Sequence, residues 1–158
     1  MSDQDKITAS ETRHILKGFC DELLELPPDA RNWLISLWEA TQFIDDVADD
    51  DKITRPQLDN ALNQLFIQMP ANPFYITNQV QLLPILAVFI AKWQASDRLE
   101  RQGRANEKTF MWRAGFYDVM LAVIAICYGV EEASRLAPDV LSLYGETYES
   151  YKREFPDG

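Results

Sequence analysis

Histidine is nearly missing from this chain: His14 is the only one, and cysteine occurs only at Cys20 and Cys127. With no Cys-x-x-Cys pair and no Cys/His cluster, a structural zinc site has no ligands to draw on. Each cysteine sits among apolar residues, which points to two thiols in a reducing compartment rather than a disulfide. None of the six glycines forms a phosphate-cradling loop, and no Gly-x-Ser-x-Gly elbow occurs. The N-terminus, Met1-Ser2-Asp3-Gln4-Asp5, lacks the apolar stretch of a signal peptide. The apolar run 82–91 contains Pro84 and is too short to span a bilayer. These absences predict a cytoplasmic chain with no membrane segment. Positive charge is also in deficit. A formal charge of −10 disfavours nucleic acid or an anionic membrane as partner. It suits solubility, cation binding or a basic protein partner.

What is present is helical periodicity. No strand-type alternation lasts long enough to propose a sheet, and no repeat or linker is visible. The pattern predicts an all-α fold: one domain over residues 1–158, a compact bundle of six or seven helices, with residues 1–7 disordered. Thr8 with Glu11 reads as a capping box opening a first helix that carries Ile15, Leu16, Phe19, Leu23 and Leu24. Pro27 and Pro28 end it. Asp29 is placed to cap a second helix with Trp33, Leu37, Ala40, Ile44 and Val47 on one face. Thr54 with Gln57 caps a third, with Leu58, Ala61, Leu62, Leu65 and Phe66. Pro70 stops that helix, and 70–78 reads as the one real loop. A fourth helix covers about 78–102, with a kink or start at Pro84 and Gly103 as its stop. The fifth, about 106–128, is apolar nearly all round and is predicted to be the buried central helix. A short helix over 131–136 precedes Pro138. The last places Leu141, Tyr144, Tyr148, Tyr151 and Phe155 along one stripe, a packing or oligomer face.

Charge of one sign collects at the end of the second helix. Asp45, Asp46, Asp49, Asp50 and Asp51 fall in seven consecutive residues, with no Lys or Arg between Glu39 and Asp51. At about 100° per residue, Asp45 lies beside Asp49, and Asp46 beside both Asp49 and Asp50. Carboxylates at a helix C-terminus oppose the macrodipole, so the cluster is either a solvated acidic end or a cation site. An EF-hand fails, for counting from Asp49 there is no Gly at the sixth position and no acid at the twelfth. The fourth helix adds a second pair. Its stripe Leu86, Phe89, Ile90 and Trp93 continues into Asp97 and Glu100, which puts two acids on the side facing the protein. Three explanations remain open: the helix protrudes, the acids pair with Arg98, Arg101, Arg104 or Arg113, or they face the aspartates across a cation. Asp118, inside an apolar stretch with Arg113 and Tyr117, also needs a partner.

Asp45-Asp46-Val47-Ala48-Asp49 is similar to the Asp-Asp-x-x-Asp motif of isoprenoid diphosphate synthases, which are longer and carry a second such motif. Asp46/Asp49 and Asp97/Glu100 resemble the paired acids of all-α nucleoside triphosphate pyrophosphohydrolases, although the gap between pairs is wider here. Either resemblance implies Mg²⁺ or Mn²⁺ held between carboxylates and a substrate's phosphates. Trp93-x-x-x-Asp97-x-x-Glu100 and the segment from Phe110 to Asp118 also resemble small helical proteins encoded in phages and prophages.

Two functions are therefore expected as alternatives. In the first, Asp45, Asp49, Asp97 and Glu100 hold Mg²⁺ or Mn²⁺. Asp46 serves as a base or outer-sphere group, and Lys92 and Arg113 contact a phosphorylated small molecule. In the second, the chain is a non-enzymatic interaction or assembly protein of phage type. It docks a basic partner on its acidic end and forms a homo-oligomer through apolar or tyrosine faces.

Overall fold

The computed structural model describes residues 9–156, which are helical almost throughout; no strand occurs among them. The Thr8 cap and the expected disorder of residues 1–7 lie outside the described residues. The chain divides into two compact units, residues 1–78 and 79–158. The division falls inside a helix, so no Gly- or Pro-rich linker marks it in the sequence.

In the first unit, α1 (Ala9–Gly18) runs on through a π-turn, Phe19–Leu23, before α2 (Pro28–Ala48). Then α3 (Arg55–Asn63) passes through a second π-turn, Gln64–Gln68, into α4 (Met69–Ala71). Leu16, Cys20 and Leu24 pack in the core with Trp33, Leu34, Leu37, Trp38 and Ala40 of α2. Trp33 stacks on Tyr75 with ring centroids 5.8 Å apart. Burial pushes the Cys20 thiol up to about 12, so it stays protonated, and both cysteines are free.

The Thr54–Gln57 capping box forms as expected, with the Thr54 N–H donating to Gln57 Oε1 at 2.8 Å. In the first unit, the Asp29 cap and the Pro70 stop need correcting. Pro27 itself is the N-cap of α2 and Pro28 its first residue, so Asp29 lies in the first turn and caps nothing; a proline there forfeits only an amide that has no helical partner. Pro70 likewise stops nothing, since it sits at the start of α4, just after the π-turn. The expected loop over 70–78 shrinks to Asn72, whose side-chain oxygen accepts from the amides of Phe74 and Tyr75 and opens the next helix.

That helix, α5 (Pro73–Arg101), carries Pro84 inside it. Gly103, at φ 65°, closes it, with its N–H on the Glu100 carbonyl and that of Arg104 on Leu99. The second unit continues with α6 (Glu107–Trp112), α7 (Phe116–Tyr128), α8 (Val130–Ser142) and α9 (Tyr148–Glu154). The single helix expected over 106–128 is thus two, broken at 113–115. A Cβ on Gly115 would come within 2.8 Å of the Phe89 ring of α5, so the break coincides with a close approach only glycine permits. Beyond it, Phe116, Val119, Met120, Val123 and Ile124 of α7 are buried. Pro138 lies inside α8 rather than before the last helix, and Tyr144 falls between helices.

Asp50 sits at φ 57°, the left-handed position after α2, with its N–H on the Val47 carbonyl and that of Asp51 on Asp46. Glycine is the usual residue at such a C-terminal cap. Asp50→Gly removes both the backbone strain and a carboxylate opposed to the helix dipole. It is expected to stabilise the protein by about 0.5–1 kcal/mol in urea denaturation.

Candidate functional site

The residues singled out in the sequence fall into two sets, one in each unit. In the first, Asp45, Asp46 and Asp49 lie at the end of α2, with Asp45 and Asp46 half-buried and Asp49 exposed. Loss of water around Asp46, then the charges of Asp51 and Asp45, push its carboxyl above the usual range. Asp46 also lines a small cleft of about 270 Å³ beside Gln42, Gln57, Asn60 and Gln64. Ile44 and Val47, expected on one face with Trp33, Leu37 and Ala40, are exposed, while those three are buried.

In the second unit, Glu100 faces protein as its stripe implied, whereas Asp97 pairs along its own helix, and both acids meet guanidinium groups. Asp97 pairs with Arg101 at 2.8 Å, one turn on. Glu100, whose side chain is 8% exposed, lies 3.7 Å from Arg113 and accepts the Tyr151 hydroxyl at 2.8 Å. That phenol stands 2.5 Å from Thr109 Oγ1, and the Thr109 carbonyl accepts from buried Ser96 at 3.0 Å. Arg113 also lies over the rings of Tyr151 and Phe155. Burial, with help from Glu100, pushes the Tyr151 phenol up, so it remains a donor at neutral pH. Lys92 pairs with Asp118 at 2.5 Å, and so supplies the partner Asp118 needed. The structure thus joins Glu100 to Arg113 and occupies Lys92. Among the described residues, no group of three or more His, Cys, Asp or Glu side chains is placed to hold a metal ion.

A larger cleft in the first unit, about 550 Å³, went unrecognised in the sequence. Arg13, Lys17, Arg31, Glu39, Gln64 and Gln68 are among its lining residues. Arg13 and Gln64 both hold the Glu39 carboxylate. Gln64 is 4% exposed, and its Oε1 has no hydrogen-bond partner among the described residues. A buried polar atom in that state costs about 1–3 kcal/mol.

The apolar surface was also misjudged. Of the apolar residues that marked the third helix, Leu62, Leu65 and Phe66 are exposed, Phe66 at 71%, while Ala61 and Gln64 face inward. Ile90 was placed on the inner stripe of α5 but is exposed. With Val80 (82% exposed), Leu83 and Ala87 it forms an outward row at alternating steps of three and four. The inner edge of α5 instead uses Phe89, Lys92, Ser96 and Glu100 to meet Gly115, Asp118, Thr109 and Tyr151. A sequence signal for these outward faces exists: from Asn60 to Ala91 no Asp, Glu, Lys, Arg or His occurs, in a chain that is 25% charged. By length and composition alone, Pro73–Arg101 is sufficient to cross a membrane, and so is Glu107–Tyr128 when taken through its break at 113–115, which the apolar run did not reveal. In the most apolar stretch of α5, 11% of residues are buried, against 33% in the other.

No family model matches the chain, and no curated protein or solved structure matches it.

Two outcomes test the carboxylates. A carboxyl whose folded value lies above its unfolded value destabilises the fold while ionised, and that penalty fades as pH falls through the raised value. Asp46→Asn is thus expected to raise the melting midpoint at neutral pH and to lose the advantage as the buffer approaches about pH 3. Glu100→Ala removes the carboxylate beside Arg113 and the acceptor of Tyr151. A loss of about 3 kcal/mol in urea denaturation is expected, with a smaller loss for Glu100→Gln.

Proposed function

We propose that this chain is a non-enzymatic assembly module that pairs with a second copy of itself through the outward row of α5: Val80, Leu83, Ala87 and Ile90. The observation that carries this reading is an exposed apolar row inside a long charge-free segment. Two copies each carrying −10 repel one another over most of their surface. A helix stretch free of charge is where they can approach without that cost. The alternating three-and-four spacing is that of a helix–helix seam, and the small Ala87 in the row lets two backbones come close. Each large side chain withdrawn from water there contributes about 1.5–3 kcal/mol. A bilayer would suit the same apolar row less well, because Gln79 and Gln81 beside it would lose their water. The guanidinium partners of Asp97 and Glu100 favour this reading over a catalytic Mg²⁺ or Mn²⁺ centre.

Sedimentation of the full chain tests it. A dimer or larger assembly is expected, and Leu83→Glu with Ile90→Glu should return it to monomer with the circular dichroism of helix unchanged. A monomer throughout the accessible concentration range overturns the proposal, as does an assembly indifferent to the two substitutions. Flotation with neutral phosphatidylcholine vesicles would replace it with a membrane role. A rise in melting midpoint with millimolar Mg²⁺ that Asp45→Asn/Asp49→Asn abolishes would restore the metal-dependent reading.

A further inference from the structure

The larger cleft of the first unit is built from residues one helical turn apart on three segments. Arg13 and Lys17 come from α1, Asn32 and Ser36 from α2, and Gln64 and Gln68 from the turn after α3. Such spacing points both members of each pair to one side of their helix. Three cations line this wall in a chain of net charge −10. Two of them have carboxylates: Arg13 reaches Glu39 through Nε, and Arg31 reaches Asp21 through Nη1 at 2.8 Å. A guanidinium carries five N–H donors, so both retain spare ones. Lys17 makes no ion pair among the described residues. Gln64 commits its amide Nε2 to Glu39 and leaves Oε1 as a buried acceptor with no donor. The cleft thus offers donors for an oxyanion and one acceptor that requires a proton in return. Its volume lies within the range of small-molecule sites.

We propose that this cleft binds phosphate, as the free ion or as the head of a phosphomonoester. The anionic oxygens accept from Lys17 and from the spare donors of Arg13 and Arg31. The phosphate's own hydroxyl, or an alcohol hydroxyl of the ester, donates to Gln64 Oε1. Sulfate has the shape and charge of the hydrogen phosphate dianion but no proton to donate, so the site discriminates against it. This reading is independent of self-association, which concerns α5.

The test is titration of the full-length chain with inorganic phosphate, sulfate and ribose 5-phosphate, followed by calorimetry and by amide NMR. Phosphate is expected to bind saturably and to shift the signals of Lys17, Ser36 and Gln64. Sulfate should bind weaker by about tenfold, the effect of one hydrogen bond to a charged group. Lys17→Met should weaken phosphate by about the same factor. Gln64→Leu withdraws the Nε2 donor from Glu39 together with the buried acceptor, so it should melt lower than wild type, and it should erase the preference over sulfate. Tighter binding of ribose 5-phosphate than of phosphate assigns the site to an ester, and equal or weaker binding assigns it to the free ion. No saturable response to phosphate, sulfate binding as tightly, or binding unchanged by Lys17→Met each overturns the proposal.

Discussion

The chain of contacts from Ser96 through Thr109 and Tyr151 to Glu100 decides how α5 is used in the second unit. It ties α5 to α6 and α9 through groups that are buried or nearly so, and each link satisfies a polar atom that burial would otherwise penalise. Phe110 packs beside the same phenol, between Tyr144 and Tyr148, so the network sits within an aromatic cluster rather than beside water. With that edge fixed inward by hydrogen bonds, the row at Val80, Leu83, Ala87 and Ile90 has to turn outward. Its exposure follows from geometry: one helix cannot present both edges to the same neighbours.

The network also changes the meaning of the two acids on α5. Their register was partly legible: extending the stripe by fours and threes placed Asp97 and Glu100 toward protein, and Glu100 meets it in Arg113 and Tyr151 while Asp97 pairs along its own helix with Arg101. The nature of the partner was not legible. Arg113 reaches Glu100 because α6 ends and the chain turns at 113–115, and that turn sits at the contact between Gly115 and Phe89. Two residues distant in sequence must touch before the break makes sense, so a continuous apolar pattern over 106–128 hid it. Caps behaved differently. Thr54 with Gln57, and Gly103 after α5, act within one turn, so local sequence contains all of their chemistry. Prolines gave the poorest local signal. Pro28 and Pro70 sit in first turns where no amide is missed, and Pro138 lies within a helix that other contacts hold.

Five aspartates at the end of α2 look like a cation site when read as letters. As backbone, part of the run is a helix stop. Asp50 occupies the left-handed residue, and the amides of Asp50 and Asp51 close the last carbonyls. A short polar side chain is the next best choice to glycine at that position. This accounts for one carboxylate of the cluster by local geometry and leaves Asp46, half-buried at the lip of the smaller cleft, as the acid whose environment is perturbed.

The most informative segment is α3 with its π-turn, where apolar residues at helical spacing turn outward and a glutamine faces inward. Adjacent residues differ by about 100° around a helix. Rotating the segment by one position would bury Leu65 and expose Gln64. It would also withdraw the amide that Gln64 gives to Glu39 and leave that carboxylate with Arg13 alone among these partners. A half-buried carboxylate losing a donor is penalised more than a leucine gains by partial burial. Glu39, placed one turn after Ile35 on a helix otherwise rich in buried apolar groups, therefore sets the facing of a segment it is far from in sequence. The same choice lines the cleft with amides and leaves Leu62, Leu65 and Phe66 outside. The amide lining of this cleft and the exposed Leu62, Leu65 and Phe66 are two consequences of one carboxylate's need for donors.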